Sequence, residues 1–462
     1  MFIIIQVLPF EILSEQATAV IATALWMVCW WITEAVSISV TALLPLVLFP
    51  LFKVASIEDV GANYGSPIVF LFFGGFVLAL ALEKVNLHKR IALNIIHKTG
   101  TSPNRVILGF MIATAFMSMW ISNTASTVVM LPIAMSVIKL LIHDADGFTK
   151  KDQNFALSVM LGIAFSANAG GIATIIGTPP NSVLIGLLEN EYNIQISFLK
   201  WMVVGLPIST ILIGIIYLVL VKWMFPNKGL VFAANKNVVQ DELQKLGKIT
   251  PHEKQVLITF AVIVFLWIFR SLINTLVPSL NLSDTIISII GALALFTIPH
   301  SLKKGDFILK WRDTEKLSWG ILILFGGGLA LANGMSTSGI VDAVANAIAE
   351  SQISIFLMAT LLITLMLFMT ELMSNVALTA VLAPVVAGIA LGLDIPILYL
   401  LIPVTIASSC AFMLPMATPP NAIVFASGFV KVNDMARVGI VLNIISVLLL
   451  LLVFKFFIPL VF

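Results

Sequence analysis

Met119-Trp120-Ile121-Ser122-Asn123-Thr124 interrupts a stretch, Val106 to Ile138, that holds no charged residue, and Ser374-Asn375-Val376 interrupts a similar stretch in the second half. Polar residues in the middle of apolar sequence are costly in hydrocarbon unless they find partners or bind something. Asn375 lies 252 residues after Asn123, and the same offset carries Phe73-Gly74-Gly75 onto Phe325-Gly326-Gly327, Pro132 onto Pro384 and Ser118 onto Thr370. A second landmark, Thr178-Pro179-Pro180-Asn181, recurs as Thr418-Pro419-Pro420-Asn421 at an offset of 240. The difference is accounted for if the polar loop near His143–Gln153 has no counterpart. The chain is therefore an internal duplication.

Its 462 residues are 60% hydrophobic and 10% charged, with mean hydropathy +1.09. A soluble globular protein carries about 25% charged residues, so this composition belongs to a polytopic membrane protein. The apolar runs are long and do not alternate, which favours helices over a barrel, and their length allows roughly ten to twelve crossings at about 20 residues each. A net charge of +2 and the lack of a long basic tract give no sign of a nucleic-acid partner. Cys29 and Cys410 fall in apolar segments and read as small buried residues. Met1 to Phe10 is shorter than a span and lacks a basic flank, so it reads as a shortened first helix rather than a secretory signal.

In chain order, apolar runs over residues 17–52 divide around Trp31-Ile32-Thr33-Glu34-Ala35, with Glu34 expected at a helix end near the interface. The paired glycines of Phe73-Gly74-Gly75 read as a close helix contact. Leu82–Arg105 mixes Lys84, Lys89, Arg90, Lys98 and Arg105 with apolar residues and reads as an amphipathic helix on the membrane surface, on the cytoplasmic side by the positive-inside rule. Val106–Ile138 is too long for one helix and suits two half-helices broken at Ser122-Asn123-Thr124, with Ser122 or Asn123 as N-cap. In Phe155–Leu188 a helix is expected to end near Gly177 and another to start with Pro179 at its first position. The hydrophilic stretch Lys222–Lys254 separates the repeats. The domains expected are 1–225 and 253–462, joined by a linker over 226–252. The second half repeats the programme, with a less charged surface helix at Thr337–Ser351.

Ser118 and Ser122 are four apart, as are Thr370 and Ser374, so each pair is expected on one face of a helix approaching its break. Hydroxyls and freed carbonyls at a helix C-terminal end suit a small hard cation, with sodium the natural candidate. The half-helix that follows offers free N–H groups, which suit a carboxylate. No Lys or Arg occurs in residues 106–138, 154–198 or 351–430. A dicarboxylate held there would need bound cations to balance its charge, which makes the two ligands interdependent. One such polar triplet would read as interhelical hydrogen bonding; two in register point to a site at the repeat interface. Glu371, whose register partner is Met119, breaks the symmetry and reads as a buried hydrogen-bonded acid ahead of a proton relay. The five histidines show no ligand spacing.

These residues resemble the divalent anion/sodium symporter family, the dicarboxylate and citrate carriers of bacteria and animals. The match rests on Trp31 to Ala35, Met119 to Thr124, Gly177 to Asn181 and Leu414-Pro415-Met416-Ala417-Thr418-Pro419-Pro420-Asn421-Ala422, the last continuing to Gly428. The resemblance implies an all-α polytopic membrane protein of two inverted repeats. It implies re-entrant helical hairpins and broken helices, a scaffold that forms a homodimer, and a transport domain that moves as an elevator. Carried over by motif, one sodium site uses Ser118, Ser122, Asn123 and Gly177 and a second uses Thr370, Met373, Asn375 and Ala417. The substrate meets Asn123, Thr124, Thr178, Asn375 and Thr418. Val376 stands where some relatives have threonine, at a position that would face the substrate.

The expected activity is sodium-coupled transport of a C4-type dicarboxylate such as succinate, malate or fumarate, by a multi-pass protein surrounded by lipid in the plasma membrane, most simply the bacterial cytoplasmic membrane. A sodium-independent dicarboxylate exchanger shares the same motifs. An ion channel lacks support because no repeated filter signature or charged ring is present. A membrane enzyme lacks support because no histidine accompanies Ser118 or Ser122.

Overall fold

Each half of the chain lays down the same succession of helices. In the first half these are Pro67–Lys84, Leu87–Thr99, Pro103–Ser118, Asn123–Ile142, Lys150–Gly171, Pro179–Tyr192 and Phe198–Leu218. In the second they are Trp319–Thr337, Ile340–Ala349, Ile355–Met369, Asn375–Gly392, Ile397–Ser408, Pro419–Ala426 and Val432–Leu452. Even an irregularity is duplicated: the last helix of each series widens to i→i+5 bonding, at Val219–Met224 and at Val453–Phe457. Glu15–Thr33, Ile38–Thr41, Leu44–Leu51 and Ile57–Tyr64 precede the first series; Val238–Leu246, Pro251–Leu276, Asp284–Thr297 and the short turn Trp311–Lys316 precede the second. Among the described residues one small antiparallel pair, Pro299–Ser301 with Asp306–Phe307, is the β structure. The computed structural model describes residues 14–33, 35–100, 102–142, 149–227, 238–301 and 306–462. Glu34, the segment Met1–Phe10 and most of the polar loop after Ile142 lie outside them.

The helix boundaries follow from local chemistry. Proline occupies the first turn at Pro67, Pro103, Pro179, Pro251 and Pro419, where a missing N–H costs nothing. Thr149 with Asp152, and Thr250 with Glu253, form reciprocal capping boxes. Among the described residues seven helices are long and apolar enough to cross a membrane singly, and shorter apolar helices such as Ile355–Met369 and Ile397–Ser408 add to them. Two expectations need correction. The surface helix is Leu87–Thr99, because Leu82–Lys84 completes the preceding span and Pro103 opens the next helix. The broken helix stops at Gly171 rather than near Gly177, leaving Ile172–Thr178 as an irregular connection.

Packing crosses the repeats. The helix Asn123–Ile142 lies against Pro419–Ala426, and Asn375–Gly392 lies against Pro179–Tyr192. Lys150–Gly171 is buried along nearly its whole length and carries the centre of the apolar core. The glycine pairs act as the packing reading expects. Gly74 lets the helix touch Ser288, whose hydroxyl donates to the Leu71 carbonyl at 2.7 Å, and Gly326 lets its counterpart touch Tyr64. A side chain at either position would push these helices apart.

Candidate substrate and cation site

In the first repeat the helix Pro103–Ser118 ends on a hydroxyl that is fully buried. Ser118 Oγ lies 2.7 Å from the Ala167 carbonyl and 2.6 Å from the carboxamide tip of Asn123. The same tip lies 3.3 Å from the Ala167 carbonyl and 3.2 Å from the Gly177 carbonyl. Gly171 and Gly177 touch back to back, and a Cβ on Gly177 would come within 3.0 Å of the Ser118 carbonyl. With its nitrogen inward, Asn123 donates to this ring of acceptors. With its oxygen inward it completes a cluster of oxygens that no protein donor fully serves, since Ser118 has one hydroxyl hydrogen for two acceptors. Such a cluster fits a small hard cation, which oxygen ligands bind without any anionic side chain.

The second repeat builds the same clip with different residues. Thr370 Oγ1, also fully buried, lies 2.6 Å from Asn375 Oδ1 and 2.8 Å from the Ser408 carbonyl. Thr379 donates to the Asn375 carbonyl at 2.8 Å and reaches the Ser408 hydroxyl at 3.2 Å. One hydroxyl hydrogen on Thr370 again faces two acceptors.

The hairpin turns supply the complementary charge. Ser122 Oγ accepts from the Ala125 N–H at 3.1 Å and Ser374 Oγ from the Ala377 N–H at 3.5 Å, so the serines are the N-caps. Asn123, Thr124, Asn375 and Val376 open their helices, and their N–H groups have no intrahelical acceptor. Those N–H groups, at the positive ends of the two half-helices, suit carboxylate oxygens. The broken helices add less, because Pro179-Pro180 and Pro419-Pro420 have no N–H to offer. Thr178 and Thr418 are buried at those helix starts. The Thr178 hydroxyl makes no cap bond, whereas Thr418 Oγ1 accepts from Asn168 Nδ2 at 3.1 Å and from the Asn421 N–H at 3.4 Å.

Ser118, Asn123 and Gly177 thus meet, as do Thr370 and Asn375. Ser122 does not join them through a shared helix face: the helix ends at Ser118, and Ser122 is an exposed cap beyond it. The pairing fails likewise for Ser374, a half-buried cap beyond Met369, because both pairs straddle a turn in which 3.6-residue periodicity no longer applies. Met373, two residues before Asn375, and Ala417, in the second irregular connection, are buried, at 7% and 8% exposure. Val376 and Thr124 are half-buried at equivalent places.

Several contributors escaped the sequence reading. Ala167 and Ser408 act through main-chain carbonyls, which leave no residue-type signal. Asn181 and Asn421 were visible as the last letter of the duplicated motif. Asn181 Nδ2 donates to the Thr174 carbonyl at 2.8 Å and the Gly171 carbonyl at 3.3 Å; Asn421 Nδ2 donates to the Leu414 and Ala411 carbonyls at 3.1 and 3.2 Å. Each carboxamide braces an irregular connection, satisfying carbonyls that the break would orphan. Glu371 is a buried hydrogen-bonded acid: Oε1 accepts from the N–H groups of Phe412 and Met413 and from Asn443 Nδ2 at 2.8–2.9 Å, and Oε2 accepts from the Leu414 N–H at 3.1 Å.

Comparison with known proteins identifies the family. The family described as "Sodium:sulfate symporter transmembrane region" matches residues 1–462. The sodium-dependent dicarboxylate transporter SdcS of Staphylococcus saprophyticus is 40% identical over 452 residues, covering 97% of this chain and 87% of that protein. SdcS of Staphylococcus aureus is 39% identical over 454 residues, with the same coverage. Among solved structures the YdaH transporter of Alcanivorax borkumensis superposes with a TM-score of 0.60 at 13% identity, covering 87% of each chain. MtrF of Neisseria gonorrhoeae gives 0.55 at 12% identity, covering 96% of this chain and 95% of that one. The two structures share the fold. The chain, a multi-pass membrane transporter and not an enzyme, belongs to the sodium:sulfate symporter family.

Proposed function

We propose that this protein carries a C4-type dicarboxylate such as succinate, malate or fumarate across the membrane, driven by inward sodium flow. The observation that carries the proposal is the duplicated clip. Two buried hydroxyl–carboxamide–carbonyl clusters, Ser118–Asn123–Ala167–Gly177 and Thr370–Asn375–Ser408, gather polar groups around one carboxamide each; in the second a single Thr370 hydroxyl faces two oxygens, and in the first the same holds once the Asn123 oxygen turns inward. Sodium at each cluster draws the carboxamide oxygen inward. Ser122, Met373 and Ala417 complete the two sites from the hairpin turns and the second connection. The substrate lies between the turns, its carboxylates on the N–H groups and side chains of Asn123, Thr124, Asn375 and Thr418, with Thr178 and Val376 at its edge. Because residues 106–138, 154–198 and 351–430 contain no Lys or Arg, the sodium ions supply the charge that the dianion needs. Each ligand then raises the affinity of the other, which is the linkage that symport requires. The printed name of the Staphylococcus relatives, sodium-dependent dicarboxylate transporter, supports the same substrate and coupling.

Residues 1–225 and 253–462 are the two halves that contain the repeats on this reading, with 226–252 as connector. Their hairpins and broken helices move as one body past a scaffold that pairs with a second copy. Uptake of labelled succinate into proteoliposomes tests the proposal, with an inward sodium gradient, with no gradient, and with succinate preloaded inside. Uptake driven by sodium alone is expected. Uptake that needs internal succinate and ignores sodium makes the protein an exchanger and removes the charge-compensation argument.

A further inference from the structure

The surface helix Leu87–Thr99 has two working faces. His88, Ala92, Leu93 and Ile96 are buried in the protein. On the other side Ile91 and Ile95, half-buried, follow the buried Leu87 at helical spacing, with Asn94 and Lys98 beside them. This second face, closed by Ile249 and Leu257, lines a groove of about 270 Å³. Leu257 and the neighbouring Ile258 are exposed on Pro251–Leu276, a helix long and apolar enough to cross a membrane and mostly unburied by the protein along its apolar stretch. Since that helix starts at Pro251, its first turns, and the groove beside them, lie where the membrane meets water.

Arg90 and Lys98 line the groove, whereas Lys89, Lys248 and Lys254 neighbour its lining residues in sequence, and these cations divide into structural and free groups. Arg90 is fully committed. Its Nε and Nη2 meet the Glu253 carboxylate at 2.7 and 3.2 Å, Nη1 meets the Gly247 carbonyl at 2.8 Å, and Nη2 also meets the Leu246 carbonyl at 3.1 Å. Lys89 is paired with Glu242 at 2.9 Å, and Lys245 and Lys89 together hold that carboxyl below the usual carboxylate range. Lys98, Lys248 and Lys254 are exposed and make no ion pair with any described residue. Lys254 sits one turn before Leu257 on the same helix face. The corresponding helix of the second repeat, Ile340–Ala349, carries Asp342 and no Lys or Arg. In an inverted repeat the two surface helices face opposite leaflets, so the basic one faces the leaflet that attracts Lys and Arg.

We propose that this groove binds one anionic phospholipid, its acyl chain along Ile91, Ile95 and Leu257 and its phosphate between Lys98 and Lys254. A free phosphate would leave the apolar wall uncovered, and a zwitterionic lipid would bring its own cation to a rim that already has unpaired ones.

Native mass spectrometry of the delipidated full-length protein in mild detergent, titrated with phosphatidylglycerol or phosphatidylcholine, tests this directly. Phosphatidylglycerol is expected to form a single adduct at least tenfold more tightly than phosphatidylcholine. The double variant Lys98→Gln/Lys254→Gln is expected to lose about thirtyfold of that affinity, from about fivefold for each lysine at a membrane surface. Ile95→Trp, which fills the groove while leaving both charges, is expected to lose the adduct as well. Millimolar inorganic phosphate is expected to leave it in place. Equal affinity for the two lipids, or unchanged adducts in both variants, overturns the proposal. Displacement by phosphate would show an ion site and overturn the lipid assignment.

Discussion

The two hairpin turns carry the same polar clip on different supports. In the first repeat Trp120 is 8% exposed, with its ring 5.0 Å from Phe260 edge-on and 6.2 Å from Phe198, which itself stacks on Trp267 at 4.6 Å. The connection Ile172–Thr178 behind it is buried throughout. In the second repeat the equivalent Leu372 is 62% exposed and Met416 is 76% exposed. There the connection is held from below, by the carboxylate of Glu371 on three consecutive backbone N–H groups and Asn443. The duplication thus preserves the polar clip proposed to meet ions and substrate, while the groups that steady each turn have diverged: aromatic packing on one side, a buried acid on the other.

The largest expected effect tests the shared part. Asn123→Ala and Asn375→Ala each remove the inward carboxamide and are each expected to lower sodium-driven succinate uptake at least a hundredfold, with expression unchanged. Full activity in both variants would remove the hairpin site. Loss in one alone would show that the clips are alike in shape and unequal in function.

Next come the supports. Glu371→Ala leaves the N–H groups of buried Phe412 and half-buried Met413 and Leu414, and the buried Asn443 carboxamide, without this acceptor, at a cost of about 3–5 kcal/mol. Met119→Ala at the register-equivalent, half-buried position is expected to cost about 1 kcal/mol. Thermal unfolding in detergent compares the two, and a Glu371→Ala protein as stable as the parent would mean that water takes over the N–H groups. Trp120→Ala is expected to cost about 3 kcal/mol as a large buried ring is lost, against less than about 0.5 kcal/mol for exposed Leu372→Ala. Trp120→Phe is expected to be mild, because the indole N–H has no partner among the described residues. A severe Trp120→Phe would point to an acceptor supplied by water or substrate.

How much of this was legible depends on what kind of signal each residue leaves. The duplicated Ser-Asn and Thr-Pro-Pro-Asn motifs marked the repeat, the turns and the starts of the second half-helices, because caps and prolines act locally. They misplaced the end of the first half-helix, since nothing in Gly171 to Gly177 announces that the chain leaves helical geometry six residues early. Pairing Ser118 with Ser122 failed for the same reason: helical spacing was carried across a turn. Ala167 and Ser408 were invisible because a carbonyl belongs to every residue. Glu371 could be seen as an asymmetry, and its role could not, because its partners are backbone groups forty residues away.

The smallest expected effect concerns Val376, the one place where the clips differ at the substrate side. Thr124 and Val376 both occupy the second position of the half-helix after the turn and are equally half-buried. Both offer a backbone N–H, so the anion-binding end of each half-helix is intact. What differs is one hydroxyl, worth about 1 kcal/mol if it meets a carboxylate and nothing if it meets hydrocarbon. Val376→Thr is therefore expected to change the apparent succinate affinity about fivefold, or to shift preference among succinate, malate and fumarate, with little change in stability. Thr124→Val is expected to act in the opposite sense by a similar factor. An unchanged substrate profile in both variants would place these side chains outside the contact shell and leave the N–H groups as the substrate's anchors at the turns.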